Sequence, residues 1–140
     1  MAAMVSSLRN KQIYDPIRRC WVFASPEELV RQQLIILLNK DLGYPLSLFA
    51  IERSVQALAS GGRGRFDLVV VSPRTMRPFI LAECKAHRKD REAALFQLFR
   101  YDFSLDATYL LVADSAGLIC GYKSASEEKV GADIPHFSEC

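Results

Sequence analysis

Three ionisable residues adjoin two short apolar segments of the sequence. Asp67 precedes the run Leu68–Val71, and Glu83 and Lys85 follow the run Phe79–Ala82. Both runs are rich in Val, Ile, Leu and Phe, and a connection with two prolines joins them, which predicts two antiparallel strands in a hairpin. Because the side chains of a strand alternate between its faces, Glu83 and Lys85 should point the same way.

The hairpin register predicts that two carboxylates face each other. A symmetric connection would pair Val71 with Phe79 and place Asp67 opposite Glu83. Directly opposed side chains have Cβ atoms roughly 4.5–5.5 Å apart, and facing carboxylates destabilise a sheet unless positive charge lies between them. A hard divalent cation, with the Lys85 ammonium beside it, would supply that charge. The pattern therefore predicts a Mg²⁺ site, at which Mn²⁺ is expected to substitute.

A plainer alternative explains the same charged residues without a metal. Asp67 and Glu83 can form ion pairs with Arg65 and Lys85 on a solvated sheet edge. In either case Cys84 is predicted to point to the opposite face of the strand from Glu83 and Lys85. The sequence alone leaves both interpretations open.

Basic residues concentrate around the predicted hairpin. The chain has 140 residues and a net charge of +2, half of its residues are hydrophobic, and the length suits one soluble domain. Residues 61–100 contain nine Lys and Arg but four Asp and Glu. This excess suits a polyanion such as DNA, although solvated surface is the simpler explanation for any one residue. The candidate contacts to the DNA backbone are Arg63, Arg65, Arg74, Arg77, Arg88, Lys89, Arg91 and Arg100.

Cysteine spacing and hydropathy predict a cytoplasmic protein. The four cysteines are scattered and show no C-x-x-C pair or Cys/His ligand spacing, which argues against a zinc site and fits a reducing compartment. The N-terminus lacks the apolar core of a signal peptide. The longest aliphatic run, Leu34–Leu38, is too short to span a bilayer, so no membrane association is expected.

Local patterns predict a mixed sheet of four to five strands flanked by helices. Ser25, Pro26 and Glu28 form a helix start with a capping box, and Asp90 can cap a second helix. Predicted helices cover residues 26–40 and 91–103, and predicted strands cover residues 46–58, 65–71, 79–85, 108–113 and 118–122. The strand after the second helix should run parallel to Ile80–Lys85. The expected division is an N-terminal arm (1–24), an α/β domain (25–122) and a partly ordered C-terminal tail (123–140).

The site residues resemble a known nuclease superfamily. Asp67, followed after fifteen residues by Glu83-Cys84-Lys85, resembles the D…E-x-K signature of the PD-(D/E)XK nucleases. The helical segment Gln97–Tyr101 resembles the Q-x-x-x-Y motif of the RecB-like members. The likeness is greatest to the nuclease domain of the motor subunit of type I restriction enzymes, and it covers about Trp21 to Tyr122. Two departures are Phe66, where Pro is usual, and the lack of an attached helicase motor.

The resemblance implies a restriction-endonuclease-like core and a Mg²⁺-dependent endodeoxyribonuclease. Asp67 and Glu83 would bind the metal together with the backbone carbonyl of Cys84. Glu28 lies where an acidic residue of the first helix often adds to the metal site, although its capping role explains it without a metal. The expected partners are DNA and a helicase or specificity subunit, with a homodimer as a further candidate assembly.

Hydrolysis of a phosphodiester assigns roles to the remaining motif residues. A water must become nucleophilic, and the negative charge that develops must be neutralised. Lys85 can hold the attacking water or stabilise that charge. Gln97 and Tyr101 lie one turn apart on a helix and can position the water or a phosphate. These three residues are therefore catalytic candidates with Asp67 and Glu83.

Two functions from other classes remain open at this point. The first is a non-catalytic nucleic-acid-binding module of the same fold that acts within a larger complex. It predicts salt-dependent DNA binding that needs no metal. The second is a structural or dimerisation domain, which predicts affinity for neither metal nor nucleic acid.

Overall fold

A computed structural model describes residues 8–9, 11–54, 65–87, 90–101 and 106–139. Its strands are β1 (Leu8–Arg9), β2 (Gln12–Asp15), β3 (Cys20–Phe23), β4 (Phe49–Ser54), β5 (Arg65–Val71), β6 (Pro78–Cys84), β7 (Tyr109–Asp114), β8 (Gly117–Lys123) and β9 (Glu128–Val130). Its α-helices are α1 (Pro26–Ile36), which continues as a π-helical turn (Leu37–Asp41), and α2 (Arg91–Tyr101). Short 3₁₀ turns cover Leu46–Leu48 and Phe137–Glu139.

Two sheets organise these elements. Strands β1, β2 and β3 form a small antiparallel sheet, and the larger sheet has the order β4-β5-β6-β7-β8-β9. Within the described strands, β6 and β7 are the one parallel pair, which confirms the predicted crossover through α2. The larger sheet is mixed, as predicted, but it has six strands rather than four to five, because the segment after Lys123 adds β9.

The two helices cover opposite faces of the larger sheet. Val30 and Leu34 of α1 pack in a cluster with Leu68 of β5, whereas Leu95 of α2 packs in a second cluster with Leu81 of β6. Central strands buried on both faces account for the nearly continuous apolar runs of the sequence. Helix α2 approaches β8 so closely that a Cβ on Gly121 would lie 2.6 Å from Phe99 Cζ. The hairpin therefore lies between two helices.

Three sequence predictions differ from the described structure or lie beyond it. The strand predicted from Leu46 begins only at Phe49, because the Leu48 N–H donates to the Pro45 carbonyl (3.1 Å) and closes a 3₁₀ turn. The later part of that predicted strand and the glycine-rich turn 61–64 lie outside the described residues. Helix α2 is described to Tyr101, so its predicted end at Phe103 is also outside them.

The C-terminal segment contacts the core. The Phe137 N–H donates to the Leu42 carbonyl (2.8 Å), and the Tyr44 hydroxyl donates to the Pro135 carbonyl (2.8 Å). Tyr44 is itself buried, and its ring lies edge-on to that of Phe137. These contacts are made between distant parts of the sequence, so local patterns do not indicate them. Among the described residues, no helix combines the length and hydropathy that crossing a bilayer requires.

Candidate functional site

The hairpin register brings the predicted carboxylates to one end of β5 and β6. The observed pairs are Leu68 with Ala82, Val69 with Leu81, Val70 with Ile80 and Val71 with Pro78. The predicted pairing of Val71 with Phe79 is wrong, because a bulge at Val70/Val71 shifts the register near the connection. The shift occurs at the far end of the hairpin. At the end of the hairpin away from the connection, the last pair is Leu68 with Ala82. One further step in the same register places Asp67 opposite Glu83.

Asp67 is tied to the neighbouring strand through its side chain. The Cys84 N–H donates to Asp67 Oδ2 at 2.6 Å, so a carboxylate takes the place of a backbone acceptor where the ladder ends. Arg31 Nη2 lies 3.7 Å from Asp67 Oδ1. Burial, together with the negative charge of Glu83, raises the pKa of Asp67 above its usual value, although the Cys84 N–H, Arg31 and Lys85 act against that rise. The carboxylate is therefore held by contacts from the end of β6 and from α1.

Glu83 and Lys85 lie side by side, as their spacing predicts. Lys85 Nζ is 3.1 Å from Glu83 Oε1, and both side chains are partly exposed. The Lys85 N–H donates to the Ala113 carbonyl of β7 at 2.8 Å, which fixes the backbone at the end of β6. Cys84 is buried among core residues, and burial raises the pKa of its thiol to about 12. The thiol is therefore protonated at neutral pH, and the backbone carbonyl is the group of Cys84 suited to bind a metal.

Glu28 occupies a buried network of charged and polar side chains. Its Oε1 accepts from Arg18 Nη2 (2.6 Å) and Arg31 Nη1 (3.1 Å), and its Oε2 accepts from Gln32 Nε2 (3.1 Å). The Ser25 hydroxyl caps α1 by accepting from the Glu28 N–H, as predicted. A capping box also requires the Glu28 side chain to accept from the Ser25 N–H. That part of the prediction is wrong, because the Ser25 N–H donates to the Phe23 carbonyl. Through Arg31, this network reaches Asp67.

Sequence reasoning missed Arg18, Arg31 and Gln32. A signal for the last two was present, since Glu28, Arg31 and Gln32 recur at i, i+3 and i+4 and so share one helix face. Arg31 and Gln32 are buried although both are polar, which is unusual without partners. Arg18 carries no local signal, because its contact with Glu28 depends on how the small sheet packs against α1.

Lys85 and Gln97 line a common cleft. Its volume is about 380 Å³, and it lies between the end of β6, the start of α2 and the end of β7. Gln97 is exposed on α2. The structure describes the backbone of Tyr101 in the last turn of the same helix, but its side chain lies outside the description. The cleft therefore joins the E-x-K segment to the first residue of the Q-x-x-x-Y motif.

The candidate DNA-binding residues whose side chains the structure describes are spread along the hairpin and α2. Arg91 pairs with the buried Asp114, its Nη1 lying 2.9 Å from Oδ1 and 3.0 Å from Oδ2. Arg74 and Arg77 are exposed in the β5–β6 connection, roughly 15 Å from Asp67 along β5. Arg100 is exposed roughly 14 Å along α2 from Arg91. The side chains of Arg63, Arg65, Arg88 and Lys89 lie outside the described residues.

Comparison with known proteins adds one finding. The family model described as "Type I restriction enzyme R protein N terminus (HSDR_N)" matches residues 26–135. No curated protein matches the chain significantly. The matched region runs from the start of α1, through the hairpin and α2, to the segment that follows β9. The chain therefore belongs to the family of type I restriction enzyme R protein N-terminal domains.

Proposed function

We propose that the chain is a Mg²⁺-dependent nuclease that hydrolyses DNA phosphodiester bonds at the end of the β5–β6 hairpin. Family membership supports a nuclease-related role. The observation that carries the finer proposal is the hydrogen bond from the Cys84 N–H to Asp67, which joins the carboxylate of β5 to the strand end that bears Glu83 and Lys85. Restriction-endonuclease-like architecture and endonucleolytic action on DNA belong to the same proposal.

The donor atoms at this site suit a magnesium ion. Asp67 and Glu83 offer hard carboxylate oxygens, and Cys84 offers a backbone carbonyl. Within the described ranges, no three side chains of His, Cys, Asp or Glu converge as a closed protein site would need. Magnesium is commonly held by one or two carboxylates, with waters and substrate phosphates completing its shell. When bound, it would activate a water and neutralise charge on the phosphate.

The residues of the chain itself have separate roles in the proposal. Cys84 and Arg31 hold the Asp67 carboxylate in one orientation, and Glu28 holds Arg31 from the other side. Glu28 is thus proposed as a positioning residue rather than as a direct ligand. The Lys85 ammonium, next to Glu83, places positive charge where negative charge would develop on the phosphate.

Gln97 is proposed to orient the water or a phosphate oxygen, because it shares the cleft with Lys85. Tyr101 is assigned the same role from its place in the helical motif alone. DNA is the proposed partner, and a helicase or specificity subunit would deliver it. Arg91 is already engaged in an ion pair with Asp114. The proposed role of Arg91 is therefore to fix α2 beside the cleft.

Cleavage of DNA by matched variants tests this function. We expect the chain to cleave plasmid or single-stranded DNA with Mg²⁺ or Mn²⁺ and not with EDTA. Glu83→Gln and Lys85→Met should each lower the rate by about 100-fold or more, because each removes charge from the reacting centre. The matched controls are Glu128→Gln and Lys129→Met on the exposed strand β9, which should keep the wild-type rate.

Two results would contradict the proposal. Cleavage that survives in both Glu83→Gln and Lys85→Met would remove these residues from the chemistry. Metal-independent, salt-sensitive DNA binding by a wild-type chain that never cleaves would instead identify the non-catalytic binding module.

A further inference from the structure

The small sheet presents aromatic side chains on its outer face. Tyr14 pairs with Trp21 and Gln12 pairs with Phe23, so these four residues share one face of β2 and β3. Tyr14, Trp21 and Phe23 are 40%, 39% and 68% exposed. Ile13, on the opposite face of β2, is 1% exposed. Large aromatic side chains are thus directed to solvent while the other face of the same strand is buried.

The aromatic face consists of three aromatic side chains and one glutamine. Its apolar members are aromatic, and no aliphatic side chain stands among its four residues. The rings of Tyr14 and Trp21 meet edge to face, with centroids 5.6 Å apart. Trp21 and Phe23 are two residues apart on β3, roughly 7 Å, which is within reach of successive bases of an extended strand. Exposed aromatic rings on a sheet are a recurrent platform for stacking unpaired bases.

Positive charge flanks the aromatic face at both ends. Lys11 lies at the Phe23 end, where its carbonyl accepts from the Ala24 N–H at 2.9 Å. Arg19 lies at the other end, in the turn between β2 and β3, and both side chains are exposed. Asp15 is the one carboxylate among residues 11–24, and it is buried and paired with Arg18. The face therefore complements a polyanion.

The turn beside the aromatic face contacts the charged network that reaches the proposed catalytic site. Arg18, in the same turn as Arg19, contacts Glu28 at 2.6 Å, and Arg31 links Glu28 to Asp67. The small sheet precedes residue 26, where the family match begins, so this surface is an addition to the matched region.

We propose that the aromatic face binds single-stranded DNA, with bases stacked on Trp21 and Phe23 and with flanking phosphates at Lys11 and Arg19. The identity of the polymer rests on the proposed function. A duplex keeps its base faces stacked internally, so it cannot use these rings in the same way. Stacking is tolerant of sequence, and the face should therefore bind strands with little base preference.

Trp21 is the only tryptophan of the chain, so its fluorescence reports directly on this face. The full chain is titrated in EDTA with oligothymidylate of about 12 nucleotides, a length within the range of single-strand sites. We expect quenching of Trp21 and an affinity that falls as salt rises. By anisotropy of a labelled oligonucleotide, Phe23→Ala should weaken binding about 5- to 100-fold. Phe23→Tyr, which keeps an aromatic ring, should retain the wild-type affinity for the oligonucleotide.

Phe96→Ala is the matched control, because Phe96 is an exposed aromatic on α2, and it should bind as the wild type does. The proposal is overturned if the oligonucleotide binds without quenching Trp21 and Phe23→Ala binds normally, or if no oligonucleotide binds. Equal affinity for a duplex, or self-association that Phe23→Ala abolishes, also overturns it. Because no cleavage is measured, failure here leaves the proposed hydrolysis untouched, and loss of hydrolysis leaves this binding untouched.

Discussion

Arg31 links the first helix to the hairpin site. Its guanidinium lies between two carboxylates, with Nη1 3.1 Å from Glu28 and Nη2 3.7 Å from Asp67. The Arg31 side chain is 6% exposed, and the Glu28 and Asp67 side chains are 9% and 32% exposed, so the contact with Glu28 is the better shielded from solvent. Among the described residues, the cation nearest to Asp67 is therefore Arg31 of α1 and not Lys85, which follows β6. In the proposed site, Arg31 offsets part of the carboxylate repulsion before a cation binds.

Replacing Arg31 should separate this role from simple packing. In EDTA, Arg31→Met should lower the free energy of unfolding by about 1–3 kcal/mol, because Glu28 loses a charged donor and Asp67 loses a cation. Saturating Mg²⁺ should raise the Tm of the variant by more than that of the wild type, since the metal replaces the missing charge at Asp67. Thermal and chemical unfolding with and without Mg²⁺ measure both effects.

Arg77→Met serves as the control, because Arg77 is exposed in the β5–β6 connection at the other end of the hairpin. Its free energy of unfolding and its Tm should match those of the wild type both in EDTA and in Mg²⁺. An equal loss of stability for Arg31→Met with and without Mg²⁺ would assign Arg31 to packing alone.

At the scale of elements, Asp114 fixes the start of α2 beside the end of β7. Besides the ion pair with Arg91, Asp114 Oδ1 accepts from the N–H groups of Ala116 (2.8 Å) and Gly117 (3.0 Å) in the β7–β8 turn. Burial acts to raise the pKa of Asp114. The hydrogen bonds from Ala116, Arg91 and Gly117 outweigh burial and hold the pKa below its usual value. One carboxylate thus orders a turn and anchors a helix that lines the cleft.

The lowered pKa of Asp114 predicts a pH-dependent stability. The usual value is 3.8, so the stabilisation is fully present above that pH and is lost as pH falls through the lower folded-state pKa. Asp114→Asn should therefore be less stable than the wild type at neutral pH, and the difference should shrink below about pH 4. Denaturant unfolding of both proteins across pH measures it.

Asp41→Asn, at an exposed position, is the control and should follow the wild-type curve. If the difference in free energy of unfolding between the wild type and Asp114→Asn stays constant down to acid pH, ionisation of Asp114 does not stabilise the fold.

At the scale of the whole molecule, local sequence patterns predicted the order of elements between residues 25 and 122, but not the small N-terminal sheet or β9. The cap at Ser25, the apolar runs of β5 and β6, and the cap at Asp90 each depend on neighbouring residues. The parallel pairing of β6 with β7 followed from the handedness of crossovers. Motif spacing predicted the pair Glu83–Lys85, and the hairpin register predicted the nearness of Asp67.

Features that depend on distant contacts could not be predicted in the same way. Arg18 reaches Glu28 because the small sheet packs beside α1, and the C-terminal segment is held by Tyr44 and Leu42. The bulge at Val70/Val71 has no marker beyond the prolines of the connection. Apolar alternation at residues 46–48 fits a strand as well as a 3₁₀ turn, so only the hydrogen bond to Pro45 distinguishes them.

Anomalous scattering from Mn²⁺-soaked crystals of the chain tests the central claim most directly. Because hard oxygen ligands suit Mn²⁺ as well as Mg²⁺, an ion should appear between the carboxylates of Asp67 and Glu83, in contact with both. It should be absent from crystals of Asp67→Asn soaked in the same way. Manganese bound only elsewhere, or bound equally well in Asp67→Asn, would contradict a metal site on this hairpin.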